Sequence, residues 1–391
     1  MRKEEKYLIE LLCAYLRNSK ISLDNSVDYS RLFDISREHN LIAIVFCVIK
    51  SADNRDIIPK ELFTKFEDGF YETIFRYDHQ KNTIEELSRL LIDNKIRHIF
   101  FKGSEIKELY PVPEARAMGD IDVLIAQEDR DKVKNLLIEN NFELENSNGP
   151  VYDYRKNNIL IEMHTKIVSG KVGSSNAETS FIDAIDHAEF DGCRGRLDSN
   201  YHFAYLITHI AHHFWFYGAG IKLILDLAVY QSRVDIDYDA VMQKMQEIGL
   251  EHFAKVILSV CKKWFHSGIG YDIDTRVTEN FIACFGAFGN GKRNKAVVIE
   301  RKELEEGKRN SRLLTRLRLL FPSYEKLKNI PYIRFIEGRP WLTPIAWIYR
   351  IYYNFRNRKA FVKDATTKIG DEKINLQAQR ELEYFKEIGL L

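Results

Sequence analysis

Phe101-Lys102-Gly103-Ser104, followed after a gap by Gly119-Asp120-Ile121-Asp122-Val123-Leu124-Ile125, is the stretch on which the reading of this chain turns. Ile96–Phe101 reads as a strand. Gly103-Ser104 then turns the chain into a short helix, expected over Ser104–Tyr110, and a second strand follows over Ile121–Ile125. Alternate side chains of a strand point to opposite faces, so Asp120 and Asp122 share one face while Ile121 and Val123 face a core. A later segment, Leu160-Ile161-Glu162-Met163-His164, alternates the same way and adds Glu162 and His164 to one face. Carboxylates side by side on a buried strand repel each other. Folding supplies no reason for that arrangement, whereas a divalent cation does.

These residues resemble the nucleotidyltransferase superfamily of polymerase-beta-like and antibiotic-modifying enzymes. The signature is an apolar residue, Gly-Ser, a short helix, Asp-apolar-Asp on a strand and a third acid on a later strand. The wording Phe-Lys-Gly-Ser…Leu-Tyr-Pro…Arg-x-Met-x-Asp-Ile-Asp-Val-Leu is similar to the poorly characterised bacterial nucleotidyltransferase family over roughly residues 90–170. A looser match, Thr208-His209…His212-His213…Gly218-Ala219-Gly220-Ile221-Lys222…Asp226, runs to about Tyr230.

The resemblance implies a Mg²⁺-dependent (or Mn²⁺-dependent) transfer of a nucleoside monophosphate from an NTP to an acceptor hydroxyl, with release of pyrophosphate. Asp120 and Asp122 would bridge two ions, and Glu162 would complete the acceptor-side ion and help deprotonate the acceptor. The barrier in such a reaction is electrostatic, because a nucleophile must approach an already anionic phosphorus. Gly103 would let the backbone approach a phosphate, and Ser104 would offer a hydroxyl and helix N–H groups. Lys102 reaches the triphosphate or caps the sheet edge. Arg116 binds phosphate through its planar fork or orders its loop through a salt bridge. Lys222, just past the Gly-x-Gly turn, is placed to touch phosphate.

His209, His212 and His213 share a helix face at i, i+3 and i+4. His209 and His213 have zinc-ligand spacing but no evident third ligand. Lining a pocket, or a buried histidine bonded to Asp226, is the plainer reading. His164 would orient Glu162 or contact the acceptor, and Asp226 would orient a histidine or help bind the acceptor.

The expected fold class is α+β, a small mixed sheet with helices on one side, flanked by helical N-terminal and C-terminal regions. The expected divisions are a helical region at 1–94, a catalytic core at 95–190, a helical domain at 191–290 and a basic, aromatic region at 291–391. Within the core, Glu128–Asn140 reads as a helix and Phe142–Leu144, Val151–Tyr154 and Ile159–Thr165 as strands. Residues 169–176 read as a connector, with Gly170, Lys171 and Gly173 able to approach phosphate if it were a flap. Residues 177–198 read as irregular and polar.

At 391 residues, with 45% hydrophobic and 12% aromatic content, the chain can bury a substantial core. A formal net charge of +1 gives no global argument for nucleic acid or membrane binding. Five scattered cysteines, with no C-x-x-C pair, indicate neither a disulfide framework nor a zinc ribbon. Together with the absence of a signal-peptide pattern, this leads to the expectation of a cytoplasmic protein. The longest apolar run, Leu41–Ile49, is too short to span a bilayer. Residues 308–359 hold thirteen Lys or Arg against Glu325 and Glu337, with aromatics interleaved. A solvated surface is the first reading of that segment, and contact with a polyanion or a membrane surface the second. Two further readings stand beside the enzyme: a toxin-like enzyme modifying tRNA or protein, and a nucleotide-binding module without turnover.

Overall fold

The computed structural model describes residues 1–170, 172–284, 295–305, 320–328, 330–357 and 372–391. Its internal contacts divide the chain into two units, Met1–Lys292 with Gly389–Leu391, and Arg293–Ile388.

The first unit opens with helices α1 (Lys3–Leu16), α2 (Tyr29–Glu38), α3 (Ile42–Ile49) and α4 (Lys60–Asp93). The Asp28 carboxylate caps α2 by accepting from the amides of Ser30 and Arg31. The sheet follows: β1 (His98–Phe100), a short helix α5 (Gly103–Ile106), β2 (Asp120–Ile125), α6 (Arg130–Glu139), β3 (Glu143–Asn146), β4 (Val151–Lys156) and β5 (Ile159–His164). After α7 (Ala177–Ser180) come β6 (Ala188–Asp191) and β7 (Arg194–Leu197). Helices α8 (Ser199–Phe216), α9 (Ile221–Arg233), α10 (Tyr238–Ile248), α11 (Glu251–Phe265) and α12 (Arg276–Cys284) complete the unit.

The seven strands lie in the order β3-β4-β5-β2-β1-β7-β6. β2 runs parallel to β5 and antiparallel to β1, and β7 runs parallel to β1, so the sheet is mixed and the fold class α+β. The β4–β5 hairpin turns on Asn157 and Asn158, both with positive φ, the geometry that matches strand twist in a two-residue loop.

Two expectations are corrected. Residues 188–197 are not irregular: they form an edge hairpin turning at Gly192, whose φ is +61°. The Asp191-Gly192 pair is a hairpin signal, and Ala188 and Phe190 alternate with Glu189 and Asp191, but each flanking strand is only four residues long and β7 is largely polar. The sheet is also covered on both faces. Ile121, Val123 and Ile125 of β2 and Ile161 and Met163 of β5 pack against Leu87 and Leu91 of α4 and Val133 and Leu137 of α6. On the opposite face Tyr205 of α8 lies against Phe101, with ring centroids 5.7 Å apart. Truncating one of the core side chains to Ala would cost about 2–5 kcal/mol.

Residues 169–176 form a pinned connector. The Ser174 amide donates to the Leu390 carbonyl at 3.1 Å and the Asn176 amide to the Ile248 carbonyl at 2.8 Å. Lys171 lies outside the described residues.

The second unit contains helices over Lys295–Glu305, Tyr324–Leu327, Thr343–Asn357 and Glu372–Glu387. Arg301 is buried in it, over the Phe385 ring and 3.3 Å from Glu381. Of the basic, aromatic segment at 308–359, residues 320–328 and 330–357 are described. There Ile345, Ile348, Tyr352 and Phe355, at helical spacing, are exposed. Among the described residues, no helix is long and apolar enough to cross a membrane.

Candidate active site

The parallel register of β2 and β5 sets Asp122 beside Glu162 and Leu124 beside His164. Alternation then places Asp120, Asp122, Glu162 and His164 on one face, away from the α4–α6 core. His164 Nε2 lies 2.9 Å from Asp122 Oδ1 and 3.3 Å from Glu162 Oε2. Among the described residues, Asp122, Glu162 and His164 are the one group of three potential ligands whose donor atoms all fall within 4.8 Å of one another.

Lys102 closes this cluster. Its Nζ donates to Asp122 Oδ1 at 2.6 Å. To reach it, Lys102 adopts φ 51°, ψ −125°, a backbone conformation that residues with side chains rarely take. Such strain costs on the order of 1–3 kcal/mol and persists only where the surroundings enforce it. The carbonyl of Lys102 accepts from the amides of Glu105 and Ile106, which fixes the turn.

The electrostatics follow from burial. Burial opposes the Asp122 charge, but Lys102 and the His164 hydrogen bond outweigh it and hold this carboxyl below its usual range. Asp120 lacks such a partner: burial, then repulsion from Asp122 and Glu162, raises its pKa to about 6 against the attraction of Lys102. Burial opposes charge on His164, while the hydrogen bonds it donates to Asp122 and Glu162 raise its pKa above the ordinary imidazole value. The isolated-carboxylate picture from sequence therefore needs correction, because Lys102 already supplies one positive charge to the cluster.

A cleft of about 530 Å³ opens over these residues. Its far wall carries His209, His212 and His213 from α8 and Lys222 from α9. His209 and His213 meet Nε2 to Nε2 at 3.1 Å. Burial lowers all three histidines, His212 to about 4 and His213 to about 3, so this wall presents neutral imidazoles at neutral pH. Among the described residues no third potential ligand groups with His209 and His213. Burial and the Arg116 charge lower Lys222 to about 8, against the attraction of Asp226 and Asp120.

Arg116 takes the salt-bridge alternative of its two readings, while Asp226 and Ser104 sit differently from expectation. Arg116 is buried, and its fork is taken by Asp226, with Nε–Oδ1 and Nη2–Oδ2 both 2.8 Å. Asp226 therefore holds no histidine: it accepts from Arg116 and, at 2.6 Å, from the Tyr110 hydroxyl. Ser104 does not line the cleft, and its Oγ lies 3.8 Å from Met118 Sδ. Gly103 does line it. A Cβ there would stand 3.0 Å from Met118 Cγ and 3.1 Å from Arg116 Nη1, so these side chains use the space the glycine leaves.

The sequence reading missed Asp153. It pairs with Glu162 across β4 and β5, lines the cleft and accepts from Asn146 Nδ2 at 3.1 Å. Burial, with a smaller contribution from Glu162, raises its pKa. The signal was present in Tyr152-Asp153-Tyr154, where both tyrosines turn toward the core and the acid away from it.

A model of the uncharacterised nucleotidyltransferase family matches residues 25–266. The chain belongs to this family. The match runs from just before α2 to the end of α11, so it contains the whole sheet and every cleft-lining element of this nucleotidyltransferase-family protein. No curated protein and no solved structure matches the chain. Membership supports the transferase class and an NTP substrate, and the cluster of Asp122, Glu162 and His164 is compatible with a bound divalent cation.

Proposed function

We propose that this protein transfers a nucleoside monophosphate from an NTP to an acceptor hydroxyl, with a divalent cation at the carboxylate cluster. The observation that carries the reading is the pairing of Asp122 with Glu162 on adjacent parallel strands, facing a cleft with Asp120 beside them and Lys102 bonded to Asp122. A fold without chemistry gains nothing from gathering acids there, and the lysine marks the spot as one that holds positive charge. The donor set fits a divalent cation by composition and by the closeness of its atoms.

When bound, such a cation would neutralise charge on the triphosphate and acidify the acceptor hydroxyl. The chain's own groups do the rest. Lys102 moves from Asp122 toward the triphosphate, and Lys222 meets it from the opposite wall. The acceptor oxygen attacks the α-phosphorus, the bond from that phosphorus to the pyrophosphate oxygen breaks, and a carboxylate of the cluster takes the acceptor proton. Asp120 lines the cleft beside the pair and is placed to take that proton. Arg116, Asp226 and Tyr110 keep the wall between α9 and the Gly103 turn rigid. The neutral histidines of α8 supply hydrogen-bonding groups for base, sugar or acceptor without adding charge.

The test is nucleotide binding and pyrophosphate release, with the four NTPs and pools of candidate acceptors, for wild type and Asp122→Asn. Binding that requires a divalent cation, with release abolished by the substitution, supports the reading. Equal NTP binding in excess EDTA, or full release from Asp122→Asn, overturns it.

A further inference from the structure

We infer that His164 is itself a ligand of the cation and that the site therefore prefers a first-row transition-metal dication to Mg²⁺. The inference rests on the cation site proposed above and concerns which ion it takes. Two donors bound at right angles to one ion, with bonds of ~2.1 Å, stand ~3.0 Å apart, and at the tetrahedral angle ~3.4 Å. His164 Nε2 stands 2.9 Å from Asp122 Oδ1 and 3.3 Å from Glu162 Oε2. Both separations match edges of one coordination polyhedron, and all three donor atoms lie within 4.8 Å of one another.

The other ring nitrogen is where the proton must go when a cation takes Nε2. His164 is 5% exposed, and its buried Nδ1 has no hydrogen-bond partner. While no cation is bound, the Asp122 carboxylate, which only accepts, fixes the proton on Nε2. With Nε2 protonated, the ring donates to Asp122. With the proton on Nδ1, the Nε2 lone pair points at the same place and is available to a metal. The Phe101 ring, 5.1 Å away and nearly perpendicular, holds the imidazole in that orientation.

The donor set then decides the ion. Mg²⁺ takes oxygen ligands and gives up water reluctantly, so an imidazole corner offers it little. Mixed imidazole and carboxylate sites suit first-row transition dications, among which Mn²⁺ binds most weakly. A preference detected with Mn²⁺ is thus a conservative test. His164 acts here as a specificity-determining residue, and the alternation that brings Glu162 to the site brings it as well.

The experiment is Mn²⁺ titration followed by electron paramagnetic resonance, with Mg²⁺ as competitor, and pulsed measurement of nitrogen coupling to the bound ion. The full chain is used, unlabelled and labelled with ¹⁵N-histidine, so the central readout needs no substitution. The expected result is a directly coupled histidine nitrogen that changes isotope with the label, and Mn²⁺ retained against equimolar Mg²⁺. His164→Gln should lose the coupling and weaken Mn²⁺ binding at least about tenfold, since even indirect metal partners contribute that much. Bound Mn²⁺ without histidine coupling, coupling retained in His164→Gln, or displacement by equimolar Mg²⁺ would overturn this inference and leave the cation site standing. A spectrum of free Mn²⁺ at all protein concentrations would overturn both.

Discussion

Replacing Lys102 by Met should destabilise the metal-free protein and make it more responsive to metal. The Lys102–Asp122 pair is closed at 2.6 Å, with side-chain exposures of 16% and 3%. At an effective dielectric constant of ~20, that separation gives a gross attraction of roughly 6 kcal/mol. Desolvation of the ammonium offsets part of it, and breaking a buried pair from one side costs about 3–5 kcal/mol in practice. Asp122 keeps its bond from His164 at 2.9 Å, which places the expected loss near the lower end, about 3 kcal/mol. The strained backbone at residue 102 is unchanged by Met, so it does not alter the difference. In wild type an incoming cation must displace the ammonium from Asp122, whereas in Lys102→Met it meets an uncompensated carboxylate. Urea unfolding in EDTA and in saturating Mn²⁺ reads both effects: a lower midpoint for the variant in EDTA, and a larger metal-induced gain. Equal stability in EDTA, or an equal metal-induced gain in the two proteins, would refute this account of Lys102.

Three further outcomes follow from the same charges. The folded Asp120 carboxyl keeps its proton to about pH 6, whereas the ordinary carboxyl releases it near 3.8, so the folded state binds more protons in between and stability falls as pH rises through that window. Asp120→Asn should therefore stabilise the metal-free protein above about pH 6, by on the order of 3 kcal/mol in denaturant titrations, and flatten that slope. Asp226→Asn leaves the buried Arg116 guanidinium without its counter-ion and should cost about 3–5 kcal/mol by urea unfolding. Nucleotide affinity, measured calorimetrically, should fall as pH rises through about 8, where Lys222 loses its proton, and Lys222→Met should bind more weakly with that pH dependence removed.

Period-two alternation made Asp120, Asp122, Glu162 and His164 legible in the sequence, because it assigns faces without knowledge of the rest of the fold. It says nothing about cross-strand register, so the pairing of Asp122 with Glu162, and the arrival of Asp153 beside them, emerged only when β4, β5 and β2 were aligned. Lys102, Arg116 and Asp226 show a different limit. Their partners lie 20 and 110 residues away in sequence, and no local pattern tells an arginine that binds phosphate from one held by a distant aspartate. The edge hairpin of β6 and β7 escaped because short strands form by pairing with a neighbour and carry little signal of their own.

Transfer of an isotopic label from NTP tests the central claim most directly. Each NTP would be supplied with label in either the α- or the γ-phosphate, together with Mn²⁺, and with pools of small metabolites, RNA and protein as acceptors. The account predicts that α-label enters an acceptor while γ-label leaves as pyrophosphate, and that both events vanish in Asp122→Asn. Entry of γ-label into an acceptor would mark phosphoryl rather than nucleotidyl transfer and would contradict it.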